Sequence, residues 1–241
     1  MRSFLLAVLL CATFGIVAAQ SVAELQSQAQ SAMDERDFEK ALTLLDNAIS
    51  QDKKNIALML MRGTCYNSVD QNIKAIQDLN KVIQLDPKNG EAYSQRSLVY
   101  LSLGDYKGSR EDCKKAIELD PNNALAHLGL ANAYIREKNF IEGMPYYNDA
   151  IKLNPKDPNA YYQRGQAKID LSDYYGAISD FDEALMIDSE FAGAYMQRGS
   201  AKSFIGDKAG SCIDWSLAGQ YGIMEAYDYI QSKCNAAVDR E

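Results

Sequence analysis

The side chains that could carry chemistry are few and widely spaced. His127 is the only histidine in the chain, so a His-rich metal site is excluded. It shares a column, at steps of 34 residues, with Leu25, Met59, Tyr93, Tyr161 and Tyr195, which assigns it to core packing rather than to acid–base work or ligation. Cys65, Cys113, Cys212 and Cys234 have no C-x-x-C spacing, which removes the usual zinc and dithiol redox readings. No glycine-rich phosphate loop follows a strand pattern. Carboxylates are abundant, but Asp86, Asp120 and Asp188 fall where helices join, as capping or solvated groups. Neither a catalytic residue, a metal ligand nor a cofactor is expected.

One charged pattern is regular. Arg62, Arg96, Arg164 and Arg198 are each followed sixteen residues later by an aspartate, Asp78, Asp112, Asp180 and Asp214. The two corresponding positions that lack the arginine lack the aspartate as well: Gln28 is followed by Leu44, and Leu130 by Tyr146. Such covariation within one chain points to a structural ion pair between two helices rather than to a chemical site. Pairing to the preceding repeat fits less well, because Arg62 would then meet Leu44 and Arg164 would meet Tyr146.

The elements that position these residues follow from a period of 34 residues running six times from Val22. One column of small residues is Ala29, Gly63, Ser97, Ala131, Gly165 and Gly199. A second is Ala41, Ala75, Ser109, Gly143, Ala177 and Ser211, and a third Ala48, Val82, Ala116, Ala150, Ala184 and Ala218. Large side chains recur in phase at Leu45, Leu79, Cys113, Tyr147, Phe181 and Trp215, as expected of two helices packed closely at the small positions. Within Gly90 to Asn123, Tyr93, Arg96, Ser97 and Tyr100 mark a first helix by their spacing; Gly104-Asp105 breaks it, and Asp105 can cap the next. Ser109, Cys113, Ala116 and Ile117 mark the second helix, which closes at Asp120-Pro121. Neither helix can bury its stripe alone, so the stacked array is the stable unit.

Segments such as Gly104-Asp105-Tyr106, Lys115-Ala116-Ile117-Glu118-Leu119-Asp120-Pro121 and Tyr174-Tyr175-Gly176-Ala177-Ile178 resemble the tetratricopeptide repeat, or TPR, family. The resemblance implies an all-α fold: a right-handed α-α superhelical solenoid of about six helix pairs, residues 22–55, 56–89, 90–123, 124–157, 158–191 and 192–225, with a capping helix over 224–234. The departures sit mostly at the ends, with Lys53 where Pro87, Pro121 and Pro155 stand in other repeats and Lys208 in place of an aromatic loop residue. Pro145, inside the second helix of repeat four, removes a donor and is expected to bend it.

Residues 1–19 read as a cleavable secretory signal peptide: Arg2, the apolar run Phe4 to Val17, and Val17-Ala18-Ala19 before Gln20. A periplasmic or secreted location with no membrane insertion after cleavage is expected, leaving residues 20–241 as one solenoid domain. Losing Arg2 takes the formal charge from −8 to −9, and no Lys/Arg cluster exists, so a nucleic-acid partner is not expected.

In TPR proteins the first helices line a concave groove. By that resemblance the groove columns hold Leu98, Leu101, Leu128, Asn132, Ile135, Tyr162, Gln166, Ile169 and Met196, flanked by Gln95, Gln163 and Gln197. They are almost uncharged and lack the Lys, Asn and Arg set that grips a C-terminal carboxylate, which favours a protein or peptide segment with apolar anchors and backbone hydrogen bonds. Cover by neighbouring helices or by the N-terminal segment is the plainer reading of part of this face. A non-enzymatic scaffold of the bacterial envelope is the leading function; a chaperone-like carrier of exported polypeptides and an accessory non-catalytic subunit of an envelope enzyme complex are the alternatives. A hairpin turning at Tyr221-Gly222 would bring Cys212 near Cys234, and Cys212-Ile213-Asp214-Trp215 with a terminal cysteine is similar to the ending of exported bacterial TPR proteins. That resemblance implies a disulfide, two free thiols being the other reading. Cys65 and Cys113 are expected to be separate buried thiols.

Overall fold

The structure is a computed structural model that describes residues 20–234, so the signal-peptide reading of residues 1–19 lies outside the described residues. Thirteen α-helices and no strand occur among the described residues. The pairs are α1 (Val22–Asp34) with α2 (Phe38–Gln51), α3 (Ile56–Ser68) with α4 (Asn72–Leu85), and α5 (Gly90–Ser102) with α6 (Tyr106–Leu119). They continue as α7 (Ala124–Arg136) with α8 (Phe140–Leu153), α9 (Pro158–Asp170) with α10 (Tyr174–Ile187), and α11 (Ala192–Phe204) with α12 (Lys208–Gln220). Every start repeats at the step read from the sequence, and each helix packs on the one before and the one after it.

Local chemistry sets the boundaries. The first turns are capped by side chains that accept from the backbone, Asn55 from Leu58, Asn89 from Ala92, Asn123 from Ala126, and Asp105 from Gly108. The joints between repeats close when Asp86, Asp120 and Asp188 each accept from the backbone two residues on, at 3.0–3.1 Å. Between the helices of a pair the turn residue is left-handed in every repeat, at Arg36, Asp70, Gly104, Lys138, Ser172 and Gly206. Helix α8 continues across Pro145; Pro145 and Ile141, whose carbonyl loses its helical donor, are both exposed.

Small residues let the paired helices approach. A methyl group at Gly165 would lie 2.8 Å from the Phe181 ring, and one at Gly199 would lie 2.9 Å from the Trp215 indole. Phe181, Tyr147, Leu79 and Leu45, in the large column, are fully buried, each contributing on the order of 2 kcal/mol of apolar burial.

The four arginines bridge repeats rather than serving one repeat each. Arg62 binds Asp78 through Nε and Nη2, both at 2.7 Å, and turns Nη1 back to Asp46 of the preceding repeat at 2.7 Å. Arg96, Arg164 and Arg198 do the same with Asp112, Asp180 and Asp214, reaching back to Asn80, Asn148 and Asp182. A link to the preceding repeat therefore exists, two residues beyond Leu44 and Tyr146, at Asp46 and Asn148. In the later repeats Lys168 and Lys202 join Asp180 and Asp214 at 2.8 and 2.9 Å. Repeat four breaks the series: Leu130 and Tyr146 replace the pair, and the backward position holds Lys114, which would repel an arginine.

The capping segment differs from the expected helix over 224–234. Backbone bonds to the third residue back, Tyr227 to Met224 and Asp228 to Glu225, tighten its start, α13 spans only Ala226–Tyr229, and a π-helical turn follows over Ile230–Cys234. Cys212 and Cys234 are disulfide-bonded with Cα atoms 5.9 Å apart, and Tyr229 covers Trp215 with ring centroids 5.2 Å apart. Cys65 and Cys113 are free and buried. No described helix is long and apolar enough to cross a membrane.

Candidate functional site, a concave cleft

Successive first helices touch one another, α3 with α5, α5 with α7, α7 with α9 and α9 with α11, whereas no consecutive second helices pack comparably. That places the first helices on the inside of the curve. A cleft of about 480 Å³ opens there across α5, α7 and α9, lined in part by Leu101, Asn132, Ile135, Gln163 and Gln166.

The floor is organised by one buried phenol. Tyr147 of α8 reaches between the first helices and donates its hydroxyl to Asn132 Oδ1 at 2.6 Å. Burial pushes the Tyr147 phenol well above its ordinary range, with Arg136 pulling weakly the other way, so it remains a donor. With its oxygen engaged, Asn132 has only its Nδ2 donors left to offer a ligand. Gln166 gives one amide hydrogen to Tyr162 Oη at 3.0 Å, and its Oε1 accepts from no described side chain. Gln163 Oε1 is buried without a partner. One donor group beside two glutamine amides can meet the carbonyl and N–H groups of an extended peptide backbone once the buried Gln163 amide turns toward it.

The other groove residues read from the sequence divide differently. Leu128 is 7% exposed and packs with Ala131 and Ile135 in the core, so it offers little surface. Tyr162 lies against Phe181 and Phe191, with centroids 5.9 and 4.8 Å away, and Ile169 joins the same cluster. Met196 packs on the Trp215 cluster. Leu98, Gln95 and Gln197 are partly buried and do not line the cleft. Leu128 is buried and Tyr162 half-buried, because the spacing that would place a side chain on the groove also places it between adjacent repeats.

The cleft also contains residues that the sequence reading passed over. Ser102, Arg136 and Asp170 form a column at the last position of the first helices and line the rim, so the groove is not uncharged. Asp170 is held by Lys138 at 3.0 Å. The column step could have found the rim; Tyr147 could not have been found this way, because its position marks it as core and only its hydroxyl reaches the site. A second concave hollow of about 540 Å³ lies on α1, where Gln26, Ser27, Gln30 and Asp34 face Met61 of α3.

Among the described residues no cluster of His, Cys, Asp or Glu could hold a metal ion. Models of the tetratricopeptide repeat match residues 56–89, 124–157 and 158–191, and a further TPR repeat model matches 98–137, together more than half of the chain. The chain belongs to the tetratricopeptide repeat family. No curated protein sequence matches it. Among solved structures it is similar to a tetratricopeptide repeat protein from Parabacteroides merdae, at 23% identity and TM-score 0.71, covering 89% of this chain and 84% of that one. It is also similar to PilW, a type IV pilus biogenesis factor, at 16% identity and TM-score 0.74 over 88% of this chain and 98% of that one. YrrB, described as a TPR protein with an unusual peptide-binding site, is 20% identical with TM-score 0.55, over 78% of this chain and 97% of that one. At these identities the likeness is one of fold.

Proposed function

We propose that this TPR protein is a non-enzymatic scaffold of the bacterial envelope that holds an extended segment of a partner protein in the cleft across α5, α7 and α9. The observation that carries this reading is the oriented amide set: Tyr147 fixes Asn132 as a donor, while Gln163 and Gln166 keep acceptors without protein partners. The unpaired buried Gln163 Oε1 costs about 1–3 kcal/mol, and turning that amide onto a bound backbone would relieve the cost. Leu101 and Ile135 supply apolar contact beside the amides, and the Arg136 and Asp170 rim adds a charged border.

The test is affinity capture from native envelope followed by mass spectrometry, with wild type and an Asn132→Leu, Gln166→Leu variant whose helical content is unchanged. Loss of a stoichiometric partner at least tenfold supports the cleft. Undiminished capture by the variant rejects it.

A further inference from the structure

Repeat four, which lacks the arginine–aspartate pair, contains the chain's single histidine. In repeats three and six the tyrosine of that column donates its hydroxyl to the carbonyl six residues back, Tyr93 to Pro87 at 3.4 Å and Tyr195 to Ser189 at 3.2 Å. His127 makes the same contact through Nε2, to the Pro121 carbonyl at 3.1 Å. A carbonyl can only accept, so Nε2 carries the hydrogen and the neutral ring keeps its lone pair on Nδ1. The His127 residue is 8% exposed, and Nδ1 is buried with no hydrogen-bond partner. Asp149 Oδ2 of α8 lies 3.8 Å from that same nitrogen.

We propose that His127 and Asp149 form a pH-operated latch between α7 and α8, the helix pair in which Leu130 and Tyr146 stand where repeats two, three, five and six have an arginine and an aspartate. On acidification a proton from solvent adds to Nδ1, the ring becomes a cation with donors on both nitrogens, and Nδ1–H closes on the Asp149 carboxylate. The buried acceptor without a donor disappears, and α7 is tied to α8 beside the Tyr147–Asn132 contact. Around the ring, α8 presents Asp149 and the Tyr146 ring, the latter 6.0 Å away. From the α6 side, Arg110 and Lys114 lie over Tyr134, which stacks on Tyr146, and Arg110 is paired with Glu137. From the loop before α7 the Pro121 carbonyl accepts from the ring, and Asp149 is the only described carboxylate in ion-pair reach of it.

The sign follows from where the proton binds. The closed contact exists only while the ring is protonated, so what it adds to stability is present at the acid end and absent at the alkaline end. Because the chain has one histidine, its imidazole resonance between about pH 5.5 and about pH 8 is assignable to one side chain, and the His127→Tyr variant separates its effect from that of the α-amino group. The experiment follows the His127 proton resonance and amide-exchange protection factors in α7 and α8 of the whole protein across that range, for wild type, Asp149→Asn and His127→Tyr. The expected result is protection about threefold higher at the acid end in wild type, lost in both variants. His127→Tyr restores the column's usual residue and keeps the fold intact for comparison. Equal protection at both ends of the range in wild type, or pH-dependent protection that survives in Asp149→Asn or in His127→Tyr, overturns the latch.

Discussion

Asp180 shows what a single buried charge does in this molecule. It is 2% exposed, receives two bonds from Arg164 and lies 2.8 Å from Lys168, so the cost of burying its charge is offset only while those donors are present. Asp180→Ala is expected to cost roughly 3 kcal/mol by urea unfolding, because Arg164 is left behind in a partly buried place. Replacing the pair as repeat four does, with Arg164→Leu and Asp180→Tyr, should recover more than half of that loss; simple addition of the two single losses would show that the side chains act independently. Thiol chemistry gives a second check at this scale. Burial pushes Cys65 and Cys113 up to about 11, and Cys212 and Cys234 are joined. In the folded, unreduced form without residues 1–19, iodoacetamide at neutral pH should modify no cysteine, and in denaturant only Cys65 and Cys113. Rapid labelling of the folded protein would contradict the burial of both.

Between elements, stability depends on how closely the helices of a pair approach. Gly199→Ala presses a methyl group against Trp215, fully buried in the last repeat, and should cost about 1–3 kcal/mol, read as a lowered urea midpoint with an unchanged slope. The same pair carries the cap. The disulfide spans 22 residues, and reducing it should destabilise the last repeat by about 3 kcal/mol in the chain-entropy picture. Exchange protection in α12 and α13 should fall on reduction while α1 to α5 are unaffected, since each repeat contacts only its neighbours. Equal loss of protection in α1 to α5 would show that the array unfolds as one unit.

At the scale of the whole molecule the sequence period carried most of the fold. Helix starts recur at its step because each repeat caps, turns and packs with the same residue types, so the columns of Gly165, Phe181 and Asp105 could be read before any geometry was known. The concave site was less legible. Leu101, Asn132, Ile135, Gln163 and Gln166 were visible as columns, but Leu128 and Tyr162 satisfy the same spacing while packing inward. Tyr147 hides a polar function in a core column, and the third arm of each arginine depends on how one repeat rotates against the next, which a one-repeat reading does not contain. The backward partners Asp46, Asn80, Asn148 and Asp182 do share a column, and Lys114 interrupts it only before the repeat that lacks the arginine.

The central claim is that partners are held inside the curve, across α5, α7 and α9. Site-specific photo-crosslinking tests it most directly, with the reactive group placed at Ser102 on the cleft rim or at exposed Met186 on the second helix α10. In native envelope, the Ser102 probe should yield a discrete crosslinked polypeptide that the Asn132→Leu, Gln166→Leu change abolishes, and the Met186 probe should yield none. A partner captured from Met186 and absent from Ser102 would contradict the claim and place binding on the outer helices.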